Sequence, residues 1–469
     1  MTSQARKQQI IEEHLHENSK KNKKKAGSSL YQAVWRWHFY AGIIFAPFLI
    51  ILAFSGAVYL FKPEIENYLY KDLYFAEETG SELRSSSALV TEVKKELPES
   101  SVTSIKYYDD PARTAEIGVM QNGQMSSVYI NPYSGEIQGS LKAEEKFTEI
   151  FKKIHSELLV GGTAANRLVE LAACWAVILL LTGLYIWFPR NKASIWGTVL
   201  PRFTKNSRTF WRDMHAVPAF WFSIAIFVLI ATGLPWSGVM GGQISKLAIA
   251  TNTGAPPFAY SWGEKPESTL TKDVAEDVSW AAENIPVPAS NVQPLPISLE
   301  DVQFLSEEQK IAKPYTISMP QGEKGVYTVS ASHQNPSTDA TLHIDQYSGA
   351  ILSDVRFDDY GIMAKLISYG ISLHEGTLFG LANQIGGLIV CLGLIGLIVS
   401  SFILWRKRKP KSRLGAPAQT KNKKTASGVF IMMLILGVIM PLVGISIIIV
   451  YLLDRFVLRK IKPLKAWIG

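Results

Sequence analysis

The chain repeats an apolar span headed by a histidine, and that repeat limits the folds open to it. Trp35-Arg36-Trp37-His38 leads into an apolar stretch reaching Ser55-Gly56. Trp211-Arg212-Asp213-Met214-His215 leads into another reaching Thr232-Gly233, with the same interval from histidine to Ser or Thr. A second pair of segments, Ile154-His155-Ser156-Glu157-Leu158 and Leu373-His374-Glu375-Gly376-Thr377, precedes two more apolar stretches. Each of those carries a cysteine (Cys174, Cys391) and then a tryptophan (Trp187, Trp405). About 20 mostly apolar residues suffice to cross a bilayer as a helix. Spans are expected near 40–61, 168–188, 216–238 and 385–404, with a further apolar run at 429–453.

Charge assigns the sides. The net charge of +8 comes largely from three basic clusters. The first is a leader (Lys20, Lys21, Lys23, Lys24, Lys25). The second is a short loop (Arg190, Lys192, Arg202, Lys205, Arg208, Arg212), and the third follows the fourth span (Arg406 to Arg413, then Lys421, Lys423, Lys424). Basic loops stay in the cytoplasm, so four alternating spans put all three clusters and the N-terminus there. The basic balance is thus a topology signal and gives no reason to expect nucleic acid as a partner. The leader is too long and polar for a signal peptide, and no small-residue cleavage site follows the first span, which is retained as a helix. Two cysteines, both inside spans, provide neither a disulfide framework nor a zinc cluster; they read as small apolar residues. The last apolar run holds Pro441 at its middle. It is expected to be one kinked crossing, with a re-entrant turn as the alternative, although one crossing would leave Arg459, Lys460, Lys462 and Lys465 on the wrong side.

Two soluble segments separate the spans. Each carries one pattern late in its length, Val128-Tyr129-Ile130-Asn131-Pro132-Tyr133-Ser134-Gly135 and Leu342-His343-Ile344-Asp345-Gln346-Tyr347-Ser348-Gly349. Alternating apolar residues ending in Asn or Asp and then Gly predict a β-hairpin, and Val326-Tyr327-Thr328-Val329 alternates similarly. The segment 251–296 reads as loop around a short helix. The expected division is a basic leader 1–30, a first span 31–61, a first external α+β module 62–153, and a histidine segment with the second span 154–188. A cytoplasmic loop 189–214, a third span 215–238, a second module 239–365 and a histidine segment with the fourth span 366–405 follow. A basic loop 406–427 and an extra C-terminal apolar helix with its tail, 428–469, complete it. The fold class is an α-helical integral membrane protein: a four-helix core with internal duplication and two extracytoplasmic α+β modules.

Neutral imidazoles are good axial ligands for haem iron, and two opposed ones make an electron-transfer centre. His38 and His215 enter spans from one side, His155 and His374 from the other. Iron–nitrogen bonds of about 2 Å require both ligands at one depth, so reach across the bilayer pairs His38 with His215 and His155 with His374, giving two stacked haem sites. The stretch from His38 to Ser55, roughly 25 Å of helix, brings Gly56 and Gly233 near the second level, where missing side chains either leave room for a flat macrocycle or serve close helix packing. Thr182-Gly183 is a similar place. Arg36 and Arg212 pair with haem propionates or anchor the topology. His14, His16 and His333 read as solvated, and His343 as a surface residue.

Together, Trp-Arg-x-His, the Ser-Gly after it, Leu181 to Trp187 (Leu-Thr-Gly-Leu-Tyr-Ile-Trp), Thr232 to Gly238 (Thr-Gly-Leu-Pro-Trp-Ser-Gly) and the two Tyr-Ser-Gly turns resemble the PepSY-associated transmembrane helix family, whose members include iron-regulated membrane proteins and inner-membrane ferric-siderophore reductases. The resemblance covers 31–406. It implies two b-type haems held by His38, His155, His215 and His374, two PepSY modules facing the periplasm, and location in the inner (plasma) membrane of a bacterium. It also implies an enzyme that reduces ferric iron in a siderophore or other ferric chelate on the outer face. No Gly-rich flavin or nicotinamide fingerprint is present, so a membrane quinol or a cytoplasmic reductase is the expected donor. Trp236, Tyr260 and Trp262 are candidates for docking the chelate. Two other functions remain: a non-redox PepSY protein that binds or regulates secreted peptidases, and a siderophore or metal transporter. The transporter has little to couple to, since Glu170 is the acidic residue seen within the first four spans.

Overall fold

A computed structural model describes the chain except residues 1–2, 77–79, 81, 190–193, 204–205, 255–268, 421, 459, 462, 464–466 and 468–469; for 3–28, 423, 425 and 426 it gives the backbone alone. The principal helices are α1 (Ser3–Tyr59), α2 (Ser86–Glu96), α3 (Phe147–Glu157), α4 (Gly162–Trp187) and α5 (Ser207–Gly233). They are followed by α6 (Leu299–Glu308), α7 (Ile362–His374), α8 (Leu381–Arg408), α9 (Lys423–Ile439) and α10 (Pro441–Leu453). The strands are β1 (Ser101–Tyr107), β2 (Ala115–Gln121), β3 (Gln124–Ile130), β4 (Ile137–Lys142), β5 (Tyr315–Ser318), β6 (Val326–Ala331), β7 (Ala340–Asp345) and β8 (Ile351–Arg356). Five helical stretches among the described residues are long and apolar enough to cross a membrane: Ser29–Tyr59, Gly162–Trp187, Ser207–Trp236, Leu381–Arg408 and Pro441–Leu458. The protein is a multi-pass membrane protein. Its chain divides into two compact units, one made of Met1–Phe54, His155–Met240 and Ile389–Gly469, the other of Ser55–Ile154 and Gly241–Leu388.

The first unit is helical. Local chemistry sets its boundaries: Leu158 and Leu159 take left-handed backbone angles that break the chain between α3 and α4, and the Asn206 side chain accepts from the Thr209 amide to cap α5. Phe45 of α1 stacks on Trp175 of α4 at 5.4 Å, and Trp187 of α4 stacks on Phe220 of α5 at 4.2 Å. Cys174 and Cys391 are buried, as expected of small apolar residues.

The C-terminal run differs from the single kinked crossing expected of it. Pro441, which has no N–H to donate, starts α10 directly after Met440 leaves helical geometry. The two helices fold back on each other. A Cβ added at Gly437 would lie 2.5 Å from Gly444 Cα, and the rings of Phe430 and Tyr451, far apart in sequence, are 5.8 Å apart. Val429, Met433, Val443 and Ile447 join the buried core of α1 and α4, and Trp175 Nε1 donates to Ser446 Oγ at 3.0 Å. The hairpin returns Arg455 and Lys460 to the end that carries Lys424, which removes the charge conflict of a single crossing.

The second unit is built on one antiparallel sheet of eight strands in the order β4-β3-β2-β1-β5-β6-β7-β8. Each soluble segment was expected to form its own module; instead they join edge to edge, with Ile105 opposite Ile317 and Tyr107 opposite Tyr315. One face buries Ile105, Ile117, Val128, Ile317, Val329 and Leu342 against Leu89 and Val93 of α2 and Val302 of α6. The two Tyr-Ser-Gly turns have the same construction. Asn131 Oδ1 accepts from the amides of Tyr133 and Ser134, and Asp345 Oδ1 accepts from those of Tyr347 and Ser348. Gly135 and Gly349 then take φ of 78° and 72°, where a side chain would be strained.

Candidate functional site

Helix α1 brings His38 against α4. The imidazole Nδ1 is 2.9 Å from Thr182 Oγ1, while the Thr182 hydroxyl lies 2.6 Å from the Ile178 carbonyl. A carbonyl only accepts, so the threonine proton goes to Ile178 and its oxygen accepts from His38 Nδ1–H. That assignment makes Nε2 the nitrogen with the lone pair. Gly183, the next residue, lies beside the same ring: a Cβ there would sit 3.2 Å from His38 Cε1.

Helix α5 places His215 against α8, where Nδ1 donates to the Leu397 carbonyl at 2.9 Å. The bond to a pure acceptor again puts the lone pair on Nε2. His38 and His215 are close enough to interact electrostatically.

His155 lies on α3 and meets α1 at another level, donating from Nδ1 to the Leu52 carbonyl at 3.0 Å. Burial pushes this imidazole below its ordinary pKa, with the Leu52 bond partly opposing, so it is neutral at physiological pH. Leu52 is fourteen residues beyond His38 on α1, about 21 Å at the rise of an α-helix. His38 and His155 therefore lie at two well-separated levels. His374 belongs to the other unit, as the last residue of α7; Asn383 Nδ2 donates to the carbonyl just before it, at Leu373.

The arginines expected at haem propionates have protein partners. Arg212 donates to Asp213 Oδ1 through Nε at 3.0 Å and Nη2 at 2.6 Å. Arg202 grips the same carboxylate through Nε at 2.7 Å, Nη2 at 2.9 Å and its backbone amide. Arg36 Nη1 donates to the Pro417 carbonyl at 2.6 Å, and its guanidinium lies over Tyr40. Gly56 sits in the last turn of α1, and Gly233 closes α5 ahead of a single turn, Leu234–Trp236; Gly183 lies against His38. Trp236 is exposed, while Tyr260 and Trp262 lie outside the described residues.

Several residues escaped the sequence reading. Asp213 is fully buried and lies inside the third candidate span, so Glu170 is not the lone acid there. Glu170 accepts from the amides of Val239 and Met240 at 3.0 and 2.7 Å and pairs with Arg167. His343 was expected at the surface, yet it is fully buried, with Thr271 Oγ1 3.2 Å from Nε2 and Thr328 Oγ1 3.1 Å from Nδ1. Burial holds its pKa down at about 4. His333 is likewise mostly buried, bonded through Nε2 to the Ala312 carbonyl at 3.1 Å. The side chains of His14 and His16 lie outside what is described.

Among the described residues no three His, Cys, Asp or Glu side chains gather to chelate a bare ion. Helices long enough to span a bilayer, joined to a sheet domain and carrying inward histidines, define a class of membrane protein. The family model for the PepSY-associated TM region matches residues 35–408, and the chain belongs to that family. The match stops short of the C-terminal hairpin. No curated protein matches the chain.

Proposed function

We propose that the protein is a dihaem b-type oxidoreductase of the bacterial plasma membrane, built on an internal duplication, that passes electrons across the bilayer to ferric iron in a siderophore on the outer face. The observation supporting this reading is the shared state of His38, His215 and His155, each with Nδ1–H given to an acceptor. Orientation by a bond at the far nitrogen is how proteins prepare a metal-bound imidazole. Haem b bound there supplies one-electron chemistry at its iron. His38 and His215 would hold one group. By their matched positions in the sequence, His155 and His374 are proposed for a second, and the basic clusters support a cytoplasmic N-terminus, with a quinol or cytoplasmic reductase as donor.

The carboxylates inside the second and third candidate spans argue against cation-coupled transport. Asp213 is gripped by two arginines, and Glu170 by two amides and Arg167, so neither is placed to take up and release an ion. The test is a dithionite-reduced minus air-oxidised spectrum of the purified protein with haem stoichiometry. Two b haems per chain, reoxidised by a ferric siderophore, are expected. A colourless, folded protein would defeat the redox reading and leave a PepSY protein that binds secreted peptidases.

A further inference from the structure

His215 and His155 rest on backbone carbonyls, whereas His38 has a side-chain acceptor, the Thr182 hydroxyl, beside its backbone partner Leu179. That hydroxyl is itself fixed. Thr182 returns its proton to Ile178 one turn earlier at 2.6 Å, a back-bond that holds the threonine rotamer within its helix. Its oxygen is therefore a stationary acceptor 2.9 Å from His38 Nδ1. Gly183 leaves room for the ring on a second side, since a methyl group there would sit 3.2 Å from Cε1 and press on it. Cε1 lies between the two ring nitrogens, so pressure on it swings Nε2.

We propose that Thr182 and Gly183 form the seat of His38, with Thr182 a positioning residue that sets both the plane of the imidazole and its strength as an axial ligand. This rests on the haem reading above and extends it to residues that touch the ligand only. An imidazole that donates from its far N–H is a stronger electron donor to its metal. A stronger donor favours the ferric state, so losing the acceptor favours the ferrous one. Ordinary small-residue helix packing at Thr182-Gly183 would need the volume of a threonine, but not its oxygen.

The experiment compares the full-length wild type with Thr182→Val, which keeps the volume, Thr182→Ser, which keeps the oxygen, and Gly183→Ala. Each is followed by potentiometric titration of its haem absorption and by electron paramagnetic resonance of the oxidised protein. In Thr182→Val one haem is expected to move to a more positive potential, raising its reduced-to-oxidised ratio at a fixed potential, while the other stays. Thr182→Ser should match the wild type, and Gly183→Ala should alter the low-spin signal of the same haem. Loss of one haem from the valine variant but not the serine variant also supports the seat. A valine variant identical to wild type in both measurements overturns it, as does equal damage from valine and serine. A wild type without haem overturns the functional reading as well, so the two failures are told apart.

Discussion

Lys106 Nζ and Asp277 Oδ2 are 2.6 Å apart, and the same carboxylate oxygen accepts from Thr316 Oγ1 at 2.9 Å. Lys106 and Thr316 are directly opposite across the β1–β5 seam. One carboxylate, from the chain before β5, therefore ties together the two strands that make one sheet of two segments.

The first prediction concerns this seam. Burial opposes ionisation of Asp277, but the Lys106 ammonium overcomes it and holds the carboxyl below its ordinary range. A depressed folded pKa stabilises above the unfolded carboxylate value of about 3.9 and is lost as pH falls through the folded one. Asp277→Asn should cost about 1 kcal/mol, a modest figure because the aspartate is partly exposed and screened. Faster amide exchange in β1 and β5 would report it. Unchanged protection there would show that the backbone ladder holds the seam unaided.

His343 gives a second pH dependence in a different window. Burial keeps its pKa at about 4 against about 6.5 in an unfolded chain. Between those values the unfolded chain binds more protons, so stability falls as pH drops from about 6.5 to 4 and then levels off. The loss is on the order of 3 kcal/mol at most. His343→Leu should flatten that window while lowering stability at neutral pH, because Thr271 and Thr328 lose a partner. A variant whose unfolding keeps the wild-type slope between pH 4 and 6.5 would assign the titration elsewhere.

Pattern revealed the histidines better than their surroundings. His38 and His215 stand out because their flanking residues repeat, but the backbone partners of the three helix histidines, Leu52, Leu179 and Leu397, are residues whose side chains carry no signal. Thr182 and Gly183 were marked, though as space for a macrocycle and not as a seat for a ring. Alternation found the strands and the Asn131 and Asp345 turns. It did not reveal that β1 would pair with β5, because alternation tells which face a residue takes and not which strand lies alongside. His343 misled for a related reason. All six residues of β7 are buried, so a polar residue on the alternate face is not at the surface. Asp213 was visible beside His215, but its claim on Arg202 and Arg212 depends on a loop fold that spacing does not encode.

A third prediction tests Asp213. Removing its charge leaves Arg202 and Arg212 facing one another with no carboxylate between them, two residues from His215. Breaking a buried ion pair by removing one partner costs about 3–5 kcal/mol, and the exposure of Arg212 places the expected loss at the lower end. Asp213→Asn should lower thermal stability in detergent and loosen the Arg202 segment to protease. Arg212→Gln should do less, because Arg202 alone still makes two side-chain bonds to the carboxylate. Equal effects of the two substitutions would mean that Arg212 is the main partner.

The last prediction concerns the C-terminal hairpin. A single kinked crossing and a hairpin use the same sequence, but they put its ends on opposite sides or on one. Helices α9 and α10 are about 25 Å and 20 Å long at 1.5 Å per residue, and the contact of Phe430 with Tyr451 requires them to run antiparallel. With Cys174 and Cys391 replaced by alanine, single cysteines introduced by Ser427→Cys and Leu458→Cys should both react with an impermeant maleimide from the same side of sealed vesicles. Labelling from opposite sides would restore the single crossing. Gly437→Leu supplies the physical cause, since its side chain must occupy space within 3 Å of the Gly444 backbone. That variant should splay the hairpin and weaken the Trp175–Ser446 contact, read as a shift in tryptophan emission.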